Sequence, residues 1–511
     1  MEVIHLDRNK TFFHNSFLED YYNSSKFDNL RTYKPSFEHI DAAIEAKKGF
    51  NQAKRIILVN ALTNQYETAG LPIAGFVKQN ISSLAEDNTF TITTGQQIHI
   101  GLGPLYVIYK ALDVLAIAKE FREKYPEKNF VPVFWMASED HDLEEISEVN
   151  VFGKKLKWET DQVGPVGRMK PNGLYELFQT IKDDFNFSDL QFAFIQKCQD
   201  IYSSSANLSI AFRRLMHEYF GSTGLVILDG DNQELKDSFS TVLDDELKTK
   251  NYESLEASSK LFEESGYKRQ LVIRPSNLFD MTSGNRVKVS ERTNVSVAHN
   301  AYNLSPNAAL RPFYQEWILP NLLYVGGPSE LKYWMQLKGI FDNYKLPMPI
   351  LHLRTSNIIV PKKQFEKSGL NEVDILFESN VNLAKKMSEE TKSLAIDLQA
   401  KHETILKSIQ DYKVLTAKSF KGFSLEGKIN KLVPKVEELR SLTDIQLQLH
   451  ISGNSDLNKV LKIKDKYFNS EKVQEREEHV LAHVYLLHVG LSELISHFGL
   501  KNSQKIGLLF T

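Results

Sequence analysis

One βαβ unit constrains this chain more than any other feature. A strand expected at Thr89 to Thr94 runs into a glycine-bearing turn, and Leu105 to Glu120 keeps helical spacing through Leu105, Ile108, Leu112, Leu115 and Ala116. A second apolar strand follows at Phe130 to Ala137. A strand, a helix and a strand in that order make a parallel, right-handed crossover almost by rule. Further apolar strands are expected at Gly224 to Leu228, at the start of LYVGGPSE (Leu323 to Glu330) and in MPILHLR (Met348 to Arg354), with a helix over 207 to 220 and another from Leu331. The fold class this predicts is α/β with a parallel-sheet core.

Other segments hang on that core. The first 85 residues read as mostly helical, with Ser36 as the cap of a run from Phe37 to Tyr66 and Leu71-Pro72 interrupting the pattern. Two stretches look like insertions. One lies at about 150–205 and opens with the hairpin-like VFGKKLKWETD; the other lies at about 250–300, with strand-like LVIRP and NRVKV flanking Ser283-Gly284-Asn285. After about residue 375 the texture changes, which divides the chain into a core at 1–375 and a helical domain at 376–511. Leu383, Leu394, Ile405 and Thr416 are spaced by eleven, as are Met387, Leu398 and Ile409, a period that favours a nearly straight or slightly right-handed supercoil. A helix from Asn380 to Thr416 would span about 55 Å and cannot bury its stripe alone. The pattern Ile429, Leu432, Val436, Leu439, kinked at Pro434, supplies an antiparallel partner helix and points to a dimer. A last helix is expected from Glu471 to Phe498.

Composition narrows the function. With 511 residues and 42% apolar content the chain can bury a large core, and 62 Lys plus Arg against 65 Asp plus Glu give a net charge of -3. No basic field argues for nucleic acid or an anionic membrane. No signal-like run opens the sequence and no stretch approaches the roughly 20 apolar residues of a membrane span, so a cytoplasmic protein acting on small molecules is expected. The single cysteine, Cys198, excludes a disulfide framework and a multi-cysteine zinc site; among Phe192, Phe194 and Ile195 it reads as a packing residue.

Chemistry is most legible in PVFWMASEDHDLEEI, Pro132 to Ile146, an apolar strand that stops at five hydrogen-bonding side chains, Ser138 to Asp142. Open parallel sheets place their ligands at such strand ends. Ser138 or Asp140 could simply cap a following helix, with Glu144 and Glu145 favouring its positive end. A histidine between two aspartates goes further: Asp140 and Asp142 could hold His141 in one tautomer for acid/base work, or the three could supply metal ligands. No second histidine or cysteine stands nearby at ligand spacing, so no metal site is predicted. The turn from Gly95-Gln96-Gln97 to Gly103-Pro104 leads into a helix N-terminus, where backbone donors could receive an anion, or where glycine merely serves the turn. It is neither a Walker loop nor GxGxxG, because Tyr106 stands where the third glycine belongs. His99-Ile100-Gly101-Leu102 looks like the HIGH signature of class I aminoacyl-tRNA synthetases without its last histidine. Lys386-Met387-Ser388 looks like the start of their KMSKS loop but sits in the apolar stripe of the long helix.

Three blocks together are specific. TTGQQIHIGLGPLYVIYK (Thr93 to Lys110), PVFWMASEDHDLEEI, and LRPFYQEWILPNLLYVGGPSELKYWMQLKGIFDNYKLPMPILHLR (Leu310 to Arg354), with Gln474-Glu475-Arg476 near the C-terminus, resemble the cysteine ligase family of bacillithiol synthesis, BshC. His99-Ile100-Gly101 departs from the glycine-leucine-aromatic run expected there. The resemblance implies a Rossmann-like core with two connecting-peptide insertions, a C-terminal coiled coil, and a homodimer formed through it. It implies joining the cysteine carboxyl group to the amine of glucosaminyl-malate, with ATP or another nucleotide activating the carboxylate as an acyl-adenylate or acyl-phosphate. Gly95, Gln96 and Gln97 would then line the pocket floor, and Asp140, His141 and Asp142 would hold amino groups or take the proton of the attacking amine, beside Ser138 and Glu139. Gly326, Gly327, Pro328 and Glu330 would form the facing turn, and Arg311 and Arg354 would clamp malate or phosphate oxygens, unless either is a structural salt bridge. Lys110, Gln474 and Arg476 are nucleotide candidates, whereas Tyr333 and Trp334 read as core. The alternatives are another ATP-dependent amide-forming or nucleotidyl-transfer enzyme on the same scaffold, or a non-catalytic coiled-coil scaffold.

Overall fold

Along Asn129–Met136, Phe130, Phe134 and Met136 enter one hydrophobic core and Val131, Val133 and Trp135 enter another. That two-residue alternation, apolar on both sides, is what a strand covered on both faces requires. A computed structural model describes residues 2–11, 13–289, 301–366, 389–419, 426–452, 473–488 and 491–510, together with Lys462, Lys464, Asp465 and Tyr467. In chain order its strands are Glu2–Asp7 (β1), Thr89–Gln96 (β2), Asn129–Met136 (β3), Glu148–Val151 (β4), Lys154–Lys157 (β5), Val226–Asp229 (β6) and Leu278–Asp280 (β7). They continue with Val287–Lys288 (β8), Leu304–Pro306 (β9), Asn321–Gly326 (β10), Ile350–Leu353 (β11), Ser356–Val360 (β12) and Lys505–Phe510 (β13).

Five strands form one sheet in the order β11-β10-β2-β3-β6, every neighbouring pair parallel. The helices Leu105–Lys124 and Leu208–Phe220 cover one face; Gln52–Thr68, Arg311–Ile318 and Pro328–Met335 cover the other. From β2 the chain builds outward through β3 to β6, then returns to add β10 and β11 on β2's other side. The order therefore reverses between β2 and β10, where strand-end loops diverge and leave a crevice. Register keeps the ends level: Gln96 pairs with Met136, Met136 with Asp229, Thr94 with Val325, and Gly326 with Leu353.

The N-terminal region differs from the expected helical run. It opens with β1, and the stretch from Phe37 breaks at Lys48–Asn51, where Gly49 takes φ +77° and Asn51 caps a new helix by accepting the N–H groups of Ala53 and Lys54. Ser36 precedes a short 3-10 turn without a side-chain capping bond. VFGKKLKWETD does form a hairpin, β4 with β5, followed by the packed helices Leu174–Asp184 and Asp189–Ser204. LVIRP is not a strand; the small antiparallel sheet of this region is β8-β7-β9 instead. Pro275 ends that run without an N–H to give to a ladder.

Helices Glu389–Ser419 and Leu432–Ser452 pack on each other. The pattern from Ile429 to Leu439 is interrupted just before Pro434: one helix ends at Ile429 and the next starts at Leu432, which puts Pro434 in a first turn, where an amide has no intrahelical acceptor. Asn380 to Ser388, with Leu383 and the Lys386-Met387-Ser388 motif, lies outside the described residues. The expected final helix is broken into Gln474–Glu477, a 3-10 segment Val480–Leu487 and Leu491–Ile495. The first and last of these pack on Leu105–Lys124 and the middle one on Asp189–Ser204, so 473–510 do not extend the helical domain placed at 376–511. This cover explains why Leu105–Lys124 is buried nearly all round. β13 then inserts between β1, antiparallel, and β12, parallel.

Candidate active site

The crevice at the switch point is a cavity of about 850 Å³. It gathers the predicted Gly95, Gln96, Gln97 and Lys110 from the end of β2 and its helix, and Ser138, Glu139 and Asp140 from beyond β3. Arg311, Gly327, Glu330, Arg354 and Arg476 complete the predicted set in its walls. His141, Asp142, Gly326, Pro328 and Gln474 are not among the lining residues.

Lys110 ties two turns together rather than reaching into open space. Its ammonium lies 2.7 Å from Glu330 Oε2 and donates to Gly95 O at 2.8 Å and Gln96 Oε1 at 2.9 Å, which occupies all three of its donors. Glu330 also accepts the Tyr324 hydroxyl and the Gly327 N–H, both at 2.7 Å. Burial pulls the lysine below its usual range, whereas the lysine and the Gly327 N–H hold Glu330 below its own despite burial.

Beyond Gln96 the turn is a chain of oriented hydrogen bonds. With Gln96 Oε1 taken by Lys110, its amide nitrogen donates to the Tyr106 hydroxyl at 2.9 Å, and that hydroxyl lies 3.2 Å from His99 Nε2. Burial drives His99 down to about 3, so the ring is neutral. The turn needs left-handed backbone at Gly101, Leu102 and Gly103, φ +58°, +70° and +69°. A Cβ on Gly101 would come within 3.0 Å of His479 and Phe178. His479 Nε2 meets Ile100 O at 2.9 Å, so the C-terminal segment clasps this turn.

The SEDHD residues divide by role. Ser138 donates its hydroxyl to Asp229, and Glu139 pairs with Lys236, which also bridges to Asp231. Burial raises Glu139 in spite of that lysine. Asp140 receives the Gln97 amide at 2.7 Å and Arg286 at 3.2 Å. Its burial opposes ionisation, but Arg286, Gln97 and the His141 N–H together keep it below the usual carboxylate range. Asp142, not Ser138 or Asp140, caps the short helix Leu143–Ser147 through the Glu145 N–H, and so does not brace the imidazole. His141 is half exposed, with Nδ1 3.4 Å from both Asp140 and Arg286. Gln474 is buried and bonds both the N–H and the C=O of Ile359, a structural bridge in place of the expected nucleotide contact.

Two arginines expected to clamp anions differ. Arg354 is buried and paired with Glu475 at 2.5 Å. Arg311 has no carboxylate at salt-bridge distance among the described residues; it donates to Gln315 Oε1 at 3.2 Å and to the Tyr333 hydroxyl at 3.4 Å. Tyr333 thus lines the cavity, while Trp334 is core. In all, seven Lys or Arg residues and four Asp or Glu residues line the cavity, an excess of positive charge that suits an anionic ligand.

Sequence reasoning missed Arg286 and the role of Glu145. Arg286 follows the Ser283-Gly284-Asn285 turn, stacks on Phe279 at 4.2 Å and reaches Asp140 from a distant sheet, for which no local signal exists. Glu145 lines the cavity and is raised by burial and by Asp142 and Asp140. Cys198 is fully buried, its thiol pushed up by burial, as a packing role requires. Among the described residues no group of three or more His, Cys, Asp or Glu is arranged to hold a metal ion, and no helix is long and apolar enough to cross a membrane.

Comparison with known proteins gives one consistent result. A family model described as "Bacillithiol biosynthesis BshC, N-terminal Rossmann-like domain" matches residues 1–355. Proteins named "Putative cysteine ligase BshC" are similar over most of their length: that of Cytophaga hutchinsonii is 34% identical over 477 residues, 88% of each chain. Those of Flavobacterium psychrophilum and Flavobacterium johnsoniae are 35% and 34% identical over 476 and 484 residues, covering 88% and 90% of each chain.

Proposed function

Because this chain belongs to the BshC family of bacillithiol biosynthesis, we propose that it is a cysteine ligase, forming the amide between the cysteine carboxyl group and the amine of glucosaminyl-malate. The observation that carries the reading is a switch-point cavity holding an arginine, Arg311, that has no carboxylate partner among the described residues, together with the acids Asp140 and Glu145. Amide formation from a free carboxylate is uphill in water, so ATP is the proposed source of activation. The positive excess of the cavity suits its phosphates and the malate carboxylates.

Within that reading the two acids divide the work. Asp140, kept ionised by Arg286, suits a substrate ammonium; Glu145, raised by burial and like charge, suits the base that takes the proton from the attacking amine. Arg311 and Arg354 clamp carboxylate or phosphate oxygens, and Arg476 adds charge at the rim. Lys110 and Gln96 shape the floor.

We further propose that Glu389–Ser419 and Leu432–Ser452 belong to a coiled coil that forms a homodimer. Leu394, Leu398, Ile405 and Leu439 are 37–52% exposed on this pair, apolar surface that a second copy would cover. The regions 150–205 and 250–300 serve as connecting-peptide insertions, and the protein works in the cytoplasm. The decisive assay incubates purified protein with cysteine, glucosaminyl-malate and ATP. Bacillithiol with AMP or ADP is the expected product; absence of both, with cysteine and ATP recovered intact, would reject the ligase reading.

A further inference from the structure

We propose that Glu475 is a positioning residue for the ligase site: it holds the Arg354 guanidinium against the Gly327 turn, with an open edge toward the cavity where an anionic substrate group binds. The proposal rests on the reading of Arg354 as an anion ligand.

Arg354 directly follows β11, and its backbone N–H continues the ladder by bonding Gly326 O at 2.9 Å. The guanidinium is then fixed at one end. Nη2 meets Glu475 Oε1 at 2.5 Å, and Nη1 reaches Thr355 O at 3.3 Å and Ser356 Oγ at 3.4 Å. Nε stays on the other edge, 3.8 Å from where a Cβ on Gly327 would stand. The Tyr106 ring lies 5.5 Å from the guanidinium carbon, so the planar group is bounded by an aromatic ring, a glycine turn and a carboxylate. Only the cavity side is left for a ligand, and Arg354 does line the cavity.

Glu475 comes from a segment 121 residues farther along the chain. Gln474 pins that segment to Ile359, as described above. Glu475 is 2% exposed and also accepts the Ser356 hydroxyl at 3.2 Å, while Arg8 donates to that same hydroxyl at 3.1 Å. Two buried guanidinium groups therefore share one carboxylate neighbourhood. Without it the cations would repel each other in a poorly solvated space, and Arg354 would lose the geometry that keeps it in the cavity wall beside Gly327.

The test uses the full-length protein with Glu475→Gln, Arg354→Lys and the double variant, with KM and kcat measured separately for ATP and for glucosaminyl-malate. Glu475→Gln is expected to raise one of these KM values about tenfold with kcat within about threefold, and to add nothing further in the Arg354→Lys background. Unchanged KM, or full additivity, overturns the proposal. If Glu475→Gln does not fold, Glu475→Asp keeps the charge on a shorter stem and should raise the same KM a few-fold; an unchanged value overturns the proposal. If the wild-type protein shows no ligase turnover, the ligase reading fails on its own, and crystal structures of wild type and variant decide the positioning: a displaced Arg354 guanidinium supports it, an unmoved one overturns it.

Discussion

Glu330→Gln isolates the brace between the two glycine turns. The carboxylate is one-fifth exposed and its lysine partner almost fully buried, so the substitution leaves the Lys110 ammonium in the interior with only Gly95 O and Gln96 Oε1 to face. Removing one partner of a buried ion pair typically costs about 3–5 kcal/mol. The new amide can keep one of the bonds to Tyr324 or Gly327, each worth about 1 kcal/mol, which leaves an expected loss of about 3 kcal/mol. A chain this large need not unfold in one step, so the loss is best read locally, by hydrogen exchange over 93–110 and 323–335. Lys110→Met should open the same two segments. The double variant removes both charges and should recover about 2 kcal/mol relative to the sum of the single changes. Coupling below about 0.5 kcal/mol would show that the turns are held by packing alone, and the argument from the buried pair would fall.

Other outcomes follow from single groups. Arg311→Lys loses the planar fork but leaves no carboxylate stranded, so KM for an anionic substrate should rise about tenfold or more while the melting temperature moves by less than about 2 °C; a lowered melting temperature with unchanged KM would make Arg311 structural. His479 is held near 4 against 6.5 in free form because burial opposes its charge. Its contribution is complete above pH 6.5 and lost as pH falls toward 4, up to about 1.4 kcal/mol per unit and roughly 3 kcal/mol in all. Urea midpoints should drop over that window, and His479→Gln should flatten the drop; an unaltered slope would assign the acid sensitivity elsewhere. His141→Ala should leave turnover within about tenfold, whereas Glu145→Gln should lower kcat by about 10² or more. The reverse ranking would return the base to His141.

Strands buried on both faces announced themselves, because β3, β6, β10 and β11 are largely apolar runs closed by turn residues and β2 alternates threonine with Phe90 and Ile92 before its glycine turn. Their parallel ends then brought GQQ, SEDHD and GGPSE to one edge, as the βαβ logic required. Side-chain direction was not legible. Nothing local says that Asp142 turns back to cap a five-residue helix while Asp140 turns inward to Gln97, or that Lys110 closes onto Glu330. Long-range partners were equally hidden: β1 and β13 are short runs far apart in sequence whose meaning appears only when paired. The segment from Gln474 carries a helix-like apolar pattern, but VLAHVYLL is apolar all round and is pinned between the core and Asp189–Ser204, which suits an irregular 3-10 path.

The small sheet β1-β13-β12 sets an order of events during synthesis. β1 is made first, yet its partner arrives about 500 residues later, with Glu2 opposite Phe510 and Asp7 opposite Lys505. A ribosome adding 5–20 residues per second takes on the order of half a minute or more to cover that distance. Meanwhile an unpaired strand edge stands open to other nascent chains. The cavity is unfinished over the same interval, since Arg476 in its wall and Glu475, the partner of its Arg354, lie in the same late stretch. Folding of this protein is therefore a race between closure by its own tail and capture by a neighbour, and its yield should be more sensitive to chaperone supply than its finished stability would indicate.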